Sequence, residues 1–165
     1  MAIREILLLG NKALYNVSRE ATRDMDTISQ VVNDLHDTIL NFRERYGFGR
    51  AIAAPQIGEF LRIIYMNFDK KSYTLINPRL EFGEEEIQVW DDCMSFPGLE
   101  VKLNRYKKCT ISYKDLQWND CVLEFEGDLS ELVQHEYDHL DGILAVQRAI
   151  DNKSFRINSK KSKCF

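Results

Sequence analysis

The segment His135-Glu136-Tyr137-Asp138-His139 constrains this chain more than any other part of its sequence. On an α-helix, residues four positions apart lie on one face, about 6 Å apart along the axis. Two imidazoles placed in this way can bind one metal ion. Glu136 follows the first histidine, where it can act as a general base on water at the metal without being a ligand. A surface helix that happens to carry two histidines is the weaker interpretation, because the glutamate occupies the position that this chemistry needs.

A catalytic metal site that keeps one position open needs three protein ligands. The remaining histidine, His36, lies on the flank of the first predicted helix and is better interpreted as a polar residue of that helix face. The third ligand is therefore Cys93 or a carboxylate. Cys93 lies in a predicted strand beside Asp91 and Asp92. A buried structural cysteine rarely needs two charged neighbours, and a metal ion would deprotonate the thiol.

The bulk composition excludes several classes of protein. A chain of 165 residues is long enough for one domain with a sizeable core but too short for two domains of ordinary size. The net charge of −4 gives no overall basic field for nucleic acid or an anionic membrane. No apolar run approaches the roughly 20 residues of a membrane helix. The first ten residues lack the apolar region and cleavage site of a signal peptide, so we expect a cytoplasmic protein whose four cysteines are thiols.

Apolar periodicity predicts two helices. One covers residues 26–46, with Asp26 or Thr27 as its cap and Gly47 at its end. The other covers residues 129–140, with Asp128 as its cap and Gly142 after it. Strands are predicted at residues 61–68, at 73–76 before Asn77-Pro78, and at 87–95, 109–113 and 121–125. This order favours an α+β fold, with a single domain over residues 1–150 and a polar, lysine-rich, frayed tail over 151–165.

Three motifs give the chain a family resemblance. Residues 134–140 followed by Gly142 are similar to the metal motif of the peptide deformylases, and residues 53–58 resemble their glutamine motif. Cys93-Met94-Ser95 with Pro97 resembles their cysteine motif. The motifs stand in the family's order, and residues 1–7 and 75–78 are also similar. The resemblance extends to about residue 148. It implies mixed or antiparallel sheets around a central metal-binding helix.

The resemblance also implies a reaction. Cys93, His135 and His139 would bind one divalent metal ion: Fe²⁺ in the cell, with Zn²⁺, Ni²⁺ or Co²⁺ as alternatives. The substrate would be an N-formyl peptide or nascent chain, usually beginning with methionine, and the products formate and a free amine. Glu136 would be the general base. The Gln56 side chain and the Met94 backbone N–H would donate hydrogen bonds to the oxyanion that develops on the formyl group. Arg105 would pair with Asp138 and support the metal-binding helix.

The Arg105–Asp138 pair has two interpretations. It either supports the metal helix from behind or is a surface ion pair.

The resemblance also implies the partners. Work on nascent chains would bring the protein near the ribosome, with no sequence-specific nucleic-acid binding and no membrane contact.

The sequence departs from the family where the substrate's first side chain should bind. The glutamine motif has Arg50, Ala51 and Ile52 after its first glycine, where an apolar residue, a glycine and an apolar residue are usual. Asp91 and Asp92 replace a Glu-Gly pair. The helix face that carries the ligands also carries Asp128 and Glu131, where the relatives have apolar residues.

Two interpretations of these charges follow. In the first, Arg50 and Glu131 are solvated at the rim or pair with each other, and the pocket is otherwise intact. In the second, the pocket is polar and prefers a residue other than formyl-methionine, because burying an unpaired charge costs more than the apolar contact gains.

Two other functions compete with a deformylase. A metallopeptidase of the His-Glu-x-x-His kind commonly uses a third histidine or a glutamate as ligand, and the Cys93 and Gln56 motifs argue against it. A deformylase-like protein that binds formyl peptides without catalysis would agree with the altered pocket. It would have no use for Glu136 and Gln56.

Overall fold

The computed structural model describes residues 2–160 of the chain. Within this range it contains two α-helices, α1 at Met25–Tyr46 and α2 at Asp128–Leu140. The strands are β1 (Ala51–Ala53), β2 (Ile63–Phe68), β3 (Lys71–Phe82), β4 (Glu86–Asp92), β5 (Leu99–Tyr106), β6 (Lys108–Lys114), β7 (Asp120–Glu126) and β8 (Phe155–Ile157). Short 3₁₀ helices lie at Lys12–Tyr15, Ala54–Ile57 and Ala145–Arg148. No helix among these residues is long and apolar enough to cross a membrane.

The strands of the described chain form two sheets, and the strands within each sheet pair in antiparallel fashion. One sheet has the order β1-β2-β3-β6-β7 and the other the order β4-β5-β8. Helix α2 contacts β1, β2, β3 and β7 of the larger sheet and β5 of the smaller one. The predicted α+β fold, with antiparallel sheets around a central helix, is therefore confirmed.

Helix α1 packs its apolar face against the larger sheet. Leu35 and Ile39 are fully buried there, in one cluster with Ile63 of β2. Asp24 caps the helix, because its side chain accepts a hydrogen bond from the backbone N–H of Thr27 at 3.3 Å. The predicted cap, Asp26 or Thr27, is therefore wrong by two or three residues. Gly47 ends the helix in the left-handed region, as predicted.

Helix α2 begins at Asp128, directly after Gly127. Asp128 is thus the first helical residue and not the cap, and no side chain caps this end. At the other end, the N–H of Gly142 donates to the carbonyl of His139 at 3.2 Å, and that of Ile143 to the carbonyl of Asp138 at 2.9 Å. This pair of bonds requires a left-handed residue after the helix, and Gly142 supplies it with φ +69°.

Several strands differ from their predicted bounds. β3 continues through Asn77-Pro78 because a bulge between Ile76 and Arg79 absorbs the irregular backbone. Asn77 has φ 49°. Its side chain accepts a hydrogen bond from the backbone N–H of Ala21 at 2.8 Å and donates one to the carbonyl of Ala21 at 2.9 Å. β4 ends at Asp92, three residues earlier than predicted. β5 was not predicted at all.

The predicted frayed tail is ordered in part. Its residues Phe155–Ile157 form β8 and pair with Leu99–Val101 of β5. Residues 161–165, including Cys164, lie outside the described residues. The other cysteines, Cys93, Cys109 and Cys121, are free thiols, as predicted.

The glycine after α2 is required for two reasons, and we expect its replacement to destabilise the protein. A Cβ on Gly142 would lie 2.3 Å from the carbonyl oxygen of Tyr15, in addition to the left-handed backbone. Gly47 after α1 is a matched control, since it has φ +80° and nothing within 4 Å of its Cβ position. Gly47→Ala should lower the free energy of unfolding by about 1–2 kcal/mol, and Gly142→Ala by clearly more. Equal losses in urea titrations would contradict this account of Gly142.

Candidate metal centre and active site

Three buried side chains bring their ligand atoms together at one point. The Sγ atom of Cys93 lies 3.3 Å from Nε2 of His139, and this nitrogen lies 3.2 Å from Nε2 of His135. All three ligand atoms lie within 4.8 Å of one another. Bonds of about 2.0–2.3 Å to a tetrahedral ion separate ligand atoms by roughly 3–4 Å. The donor set and its spacing therefore fit one metal ion with a fourth position open.

The two secondary elements that meet here explain the convergence. Strand β4 ends at Asp92 and delivers Cys93 in the turn that follows, so the prediction that Cys93 lies within the strand is wrong. Helix α2 presents His135 and His139 one turn apart on one face. His36, which was predicted to be a polar residue of α1, contacts the hydroxyl of Tyr65 at 2.7 Å and is not part of this group.

The sulfur of Cys93 receives two donors from the protein. The backbone N–H of Ser95 lies 3.4 Å from Sγ, and Nε2 of Gln56 lies 3.6 Å from it. Gln56 is held in this orientation because its Oε1 accepts from the N–H of Ala53 at 2.9 Å and its Nε2 also donates to Ser95 Oγ at 3.1 Å. The side-chain nitrogen of Gln56 is therefore held beside Cys93 and Ser95.

Glu136 is buried beside the ligands. Among residues 2–160, its Oε2 atom has no hydrogen-bond partner. Burial raises the pKa of Glu136 to about 7, with the negative charge of Asp91 adding to this rise and His135 opposing it. A buried carboxyl group with a pKa near neutrality and a free oxygen has the properties of a general base.

The pKa values of the two histidines are shifted in opposite directions. Burial lowers the pKa of His139 well below its ordinary value, and the neighbouring His135 lowers it further. Burial also opposes the charging of His135, but Asp91 and the sulfur of Cys93 outweigh it and raise the pKa of His135 well above the ordinary value. A metal binds the neutral ring, so a raised pKa of His135 makes metal binding depend on pH.

Asp91 supports His135 from the side opposite the ligand atom. Its Oδ1 lies 2.9 Å from Nδ1 of His135, although the direction of the contact is not that of a good hydrogen bond. Its Oδ2 accepts from Nη2 of Arg105 at 2.7 Å and from Nε at 3.2 Å. Burial opposes the ionisation of Asp91, but His135 and Arg105 outweigh it and lower its pKa to about 2. The carboxylate is therefore fixed and charged behind the ligand.

Arg105 also reaches helix α2. Its Nη1 lies 2.6 Å from Oδ2 of Asp138, and the Arg105 side chain is only 3% exposed. Arg148 binds the same carboxylate through two bonds of 2.7 Å. The Arg105–Asp138 pair is thus buried and is not a surface ion pair. Sequence reasoning missed Arg148 and this position of Asp91, because both contacts depend on how β4, β5, α2 and the residues after α2 pack together.

A cleft of about 420 Å³ opens onto this group. The loop before β1, the end of β4 and helix α2 line it, and its walls include Arg50, Ala51, Asp91, Met94, Asp128 and Glu131. Five of the six predicted substrate-binding residues therefore lie at the cleft. The sixth, Ile52, does not, because alternate residues of β1 point to opposite sides and Ile52 is fully buried in the core with α1.

A pair between Arg50 and Glu131 was one of the alternatives for the charges at the cleft, and the structure shows a different pair. Nη1 of Arg50 lies 2.6 Å from Oδ2 of Asp128, and both side chains are exposed. Arg50 therefore pairs with Asp128 and not with Glu131.

Comparison with known proteins decides the family. The family described as Polypeptide deformylase matches residues 3–155. The chain belongs to the peptide deformylase family. It is 30% identical over 152 residues to a peptide deformylase of Dictyoglomus turgidum, covering 92% of this chain and 96% of that protein. A peptide deformylase of Dictyoglomus thermophilum is 33% identical over 150 residues, covering 90% of this chain and 94% of that protein.

Solved deformylase structures have the same fold. The peptide deformylase of Synechococcus elongatus, in complex with actinonin, superimposes with a TM-score of 0.84 and 27% identity, over 92% of this chain and 81% of that one. That of Thermotoga maritima gives a TM-score of 0.83 and 25% identity, over 92% and 100% of the two chains. The family membership confirms the prediction of a metal-dependent hydrolase that removes the N-formyl group from the N-terminal residue of peptides.

The contact of Asp91 with the ligand His135 leads to a prediction about metal affinity. Asp91→Asn should weaken the binding of Zn²⁺ by about 10–100-fold, because the charge that orients the imidazole is removed. Competition with a chromophoric chelator measures the affinity, and circular dichroism checks that the variant is folded. Glu86→Gln is the control, since Glu86 is exposed on the same strand. An affinity of Asp91→Asn equal to that of the wild type would show that Asp91 does not support the ligand.

Proposed function

We propose that Cys93, His135 and His139 hold one divalent metal ion and that Glu136 is the general base for hydrolysis of the formyl amide. One observation carries the proposal: the three ligand atoms lie within 4.8 Å of one another, beside the buried carboxyl of Glu136, at the end of an open cleft. A bound metal ion would supply Lewis-acid polarisation of the carbonyl and of water. The roles of the chain's own residues follow from their positions.

Glu136 moves the protons of the reaction. Its unpartnered Oε2 accepts a proton from the water that attacks the formyl carbon. When the bond between this carbon and the amide nitrogen breaks, the same carboxyl group gives a proton to the nitrogen. The products are formate and a peptide with a free amine. One carboxyl group serves both steps because the attacking and leaving atoms are bonded to the same carbon.

Gln56 and Met94 supply donors for the negative charge that develops on the formyl oxygen. The side-chain amide of Gln56 is fixed by Ala53 and Ser95, with its nitrogen beside the ligand Cys93. The backbone N–H of Met94 follows the ligand Cys93, and Met94 lines the cleft. Donors that are held in place before the reaction stabilise the transition state without a cost of reorganisation.

The cleft has the edges that an extended peptide needs. In the described chain β1 pairs only with β2, and β4 pairs only with β5, so each strand has an edge without a partner strand. Both strands line the cleft, β1 with Ala51 and β4 with Trp90. A peptide between them could form backbone hydrogen bonds of the kind that join strands. This supports a peptide substrate over a small formamide.

Two further parts of the proposal concern the identity of the metal ion and the substrate that the enzyme meets in the cell. We propose Fe²⁺ as the metal in the cell, although a site with one thiolate and two imidazoles also accepts Zn²⁺, Ni²⁺ or Co²⁺. The substrate is the formylated N-terminus of a peptide or of a newly made chain in the cytoplasm, and work on newly made chains would bring the enzyme to the ribosome. The open cleft and the reduced thiols support this assignment.

Replacement of the general base tests the proposal. Glu136→Gln should lower kcat for formate release at least 100-fold, because the amide cannot accept a proton from water. The bound metal should stay at one ion per chain, since Glu136 is not a ligand. Formate release and metal content are measured on the same samples, with Glu124→Gln as a control that removes an exposed carboxylate outside the cleft. Full activity of Glu136→Gln with metal bound would contradict the role of Glu136.

A further inference from the structure

We propose that Glu131 makes this cleft select N-formyl peptides whose first side chain is a long stem ending in a cation or an N–H donor, as in lysine, arginine or glutamine. The inference rests on the proposed function and names the substrate class of the same site. Glu131 lies on α2 one turn before His135, and both side chains line the cleft. A side chain that enters the cleft beside the reacting formyl group therefore meets Glu131 before it reaches the surface.

The carboxylate of Glu131 has no cation of its own. Within residues 2–160, it forms neither a hydrogen bond nor an ion pair with another side chain. It is half-buried. A half-buried carboxylate that lacks a partner is left with an unmet need for a donor.

The arginines that line the cleft are already engaged. Arg50 pairs with Asp128 at 2.6 Å. Arg43 donates from Nε to the carbonyl of Gly49 at 2.9 Å, and its two Nη atoms bind Asn67 at 2.9 and 2.6 Å. These contacts fix the loop before β1 and leave neither guanidinium directed at Glu131.

The surroundings of Glu131 strengthen its demand for a donor. Burial raises the pKa of Glu131, and the negative charges of Asp91 and Asp128 raise it further. Arg105 and Arg50 oppose this rise without cancelling it. The local charge is therefore negative on balance, and a cation from the substrate would be the missing partner.

The rest of the wall suits the stem of a long side chain. Phe48, Trp90 and Leu132 line the same cleft as Glu131. A lysine, arginine or glutamine side chain places its methylene groups on such a surface and its polar end at the carboxylate. A methionine or norleucine side chain of similar length would make the same apolar contacts. It would also displace water from the Glu131 carboxylate without donating a hydrogen bond in its place.

The test compares formyl peptides that differ only in the first residue: lysine, glutamine, methionine and norleucine. The kcat/KM for formate release is measured for the wild type and for Glu131→Leu, each loaded with Ni²⁺. We expect the wild type to prefer lysine over norleucine, and Glu131→Leu to shift this ratio towards norleucine by about 10-fold or more, the effect of losing a hydrogen bond to a charged group. Glu124→Leu is the control, because Glu124 is exposed on β7 and lies outside the cleft.

A binding measurement separates this inference from the proposed function. The same labelled peptides are titrated into Glu136→Gln, alone and combined with Glu131→Leu. A preference for lysine that disappears with Glu131→Leu supports the inference even if no peptide releases formate, a result that would overturn the proposed function alone. A norleucine-to-lysine ratio that is the same with and without Glu131, in turnover and in binding, would overturn the inference and leave deformylation standing.

Discussion

The buried guanidinium of Arg105 connects the parts of the protein that must meet at the metal site. Arg105 extends from β5 and binds Asp91 of β4 and Asp138 of α2 at 2.7 and 2.6 Å. β4 leads directly into Cys93, and α2 carries both histidine ligands. One side chain therefore fixes the distance between the two halves of the ligand set. Breaking a buried ion pair leaves an unpaired charge, at a cost of about 3–5 kcal/mol.

A second polar contact holds the same helix at the same strand. The amide of Gln134 binds both backbone groups of Tyr106, accepting from its N–H at 3.0 Å and donating to its carbonyl at 2.7 Å. This bidentate contact sets the register of α2 along the end of β5. Together with Arg105, it makes the small sheet and the metal helix one rigid support, which is the requirement for ligand atoms that must keep fixed separations.

The sequence was sufficient for features that depend on short spacing. The period of α2 predicted that His135 and His139 share a face, and Gly47 and Gly142 marked the ends of the helices. Contacts between distant residues were not predictable in the same way. The Arg50–Asp128 pair spans 78 positions, and no local pattern distinguishes it from a pair of Arg50 with Glu131, which was one of the alternatives.

Strand β5 shows a related limit. Because side chains along β5 point alternately to its two sides, Leu99, Val101 and Leu103 lie on the side that faces the core. Arg105 lies on the same side. A charge at an inward position contradicts a simple strand pattern, and only the partners on β4 and α2 explain it. The irregularity of β3 at Asn77 has the same kind of cause. It depends on a distant partner, because the side chain of Asn77 forms two hydrogen bonds with the backbone of Ala21.

The departures in the cleft have separate physical consequences. Arg50 and Asp128 neutralise each other at the surface, so the charge in the apolar position of the glutamine motif does not face the substrate alone. Within residues 2–160, Glu131 has no such partner, and it lies closer to the ligands along α2. The cleft thus combines the family's catalytic residues with an unpaired carboxylate at Glu131, which concerns the choice of substrate and not the chemistry.

X-ray absorption spectroscopy of the zinc-loaded protein tests the central claim most directly, because it reports the atoms bound to the metal. One sulfur at about 2.3 Å and two imidazole nitrogens at about 2.0–2.1 Å are predicted, with the sulfur lost in Cys93→Ser. A spectrum without sulfur in the wild type, or one that Cys93→Ser leaves unchanged, would show that Cys93, His135 and His139 do not form the metal site.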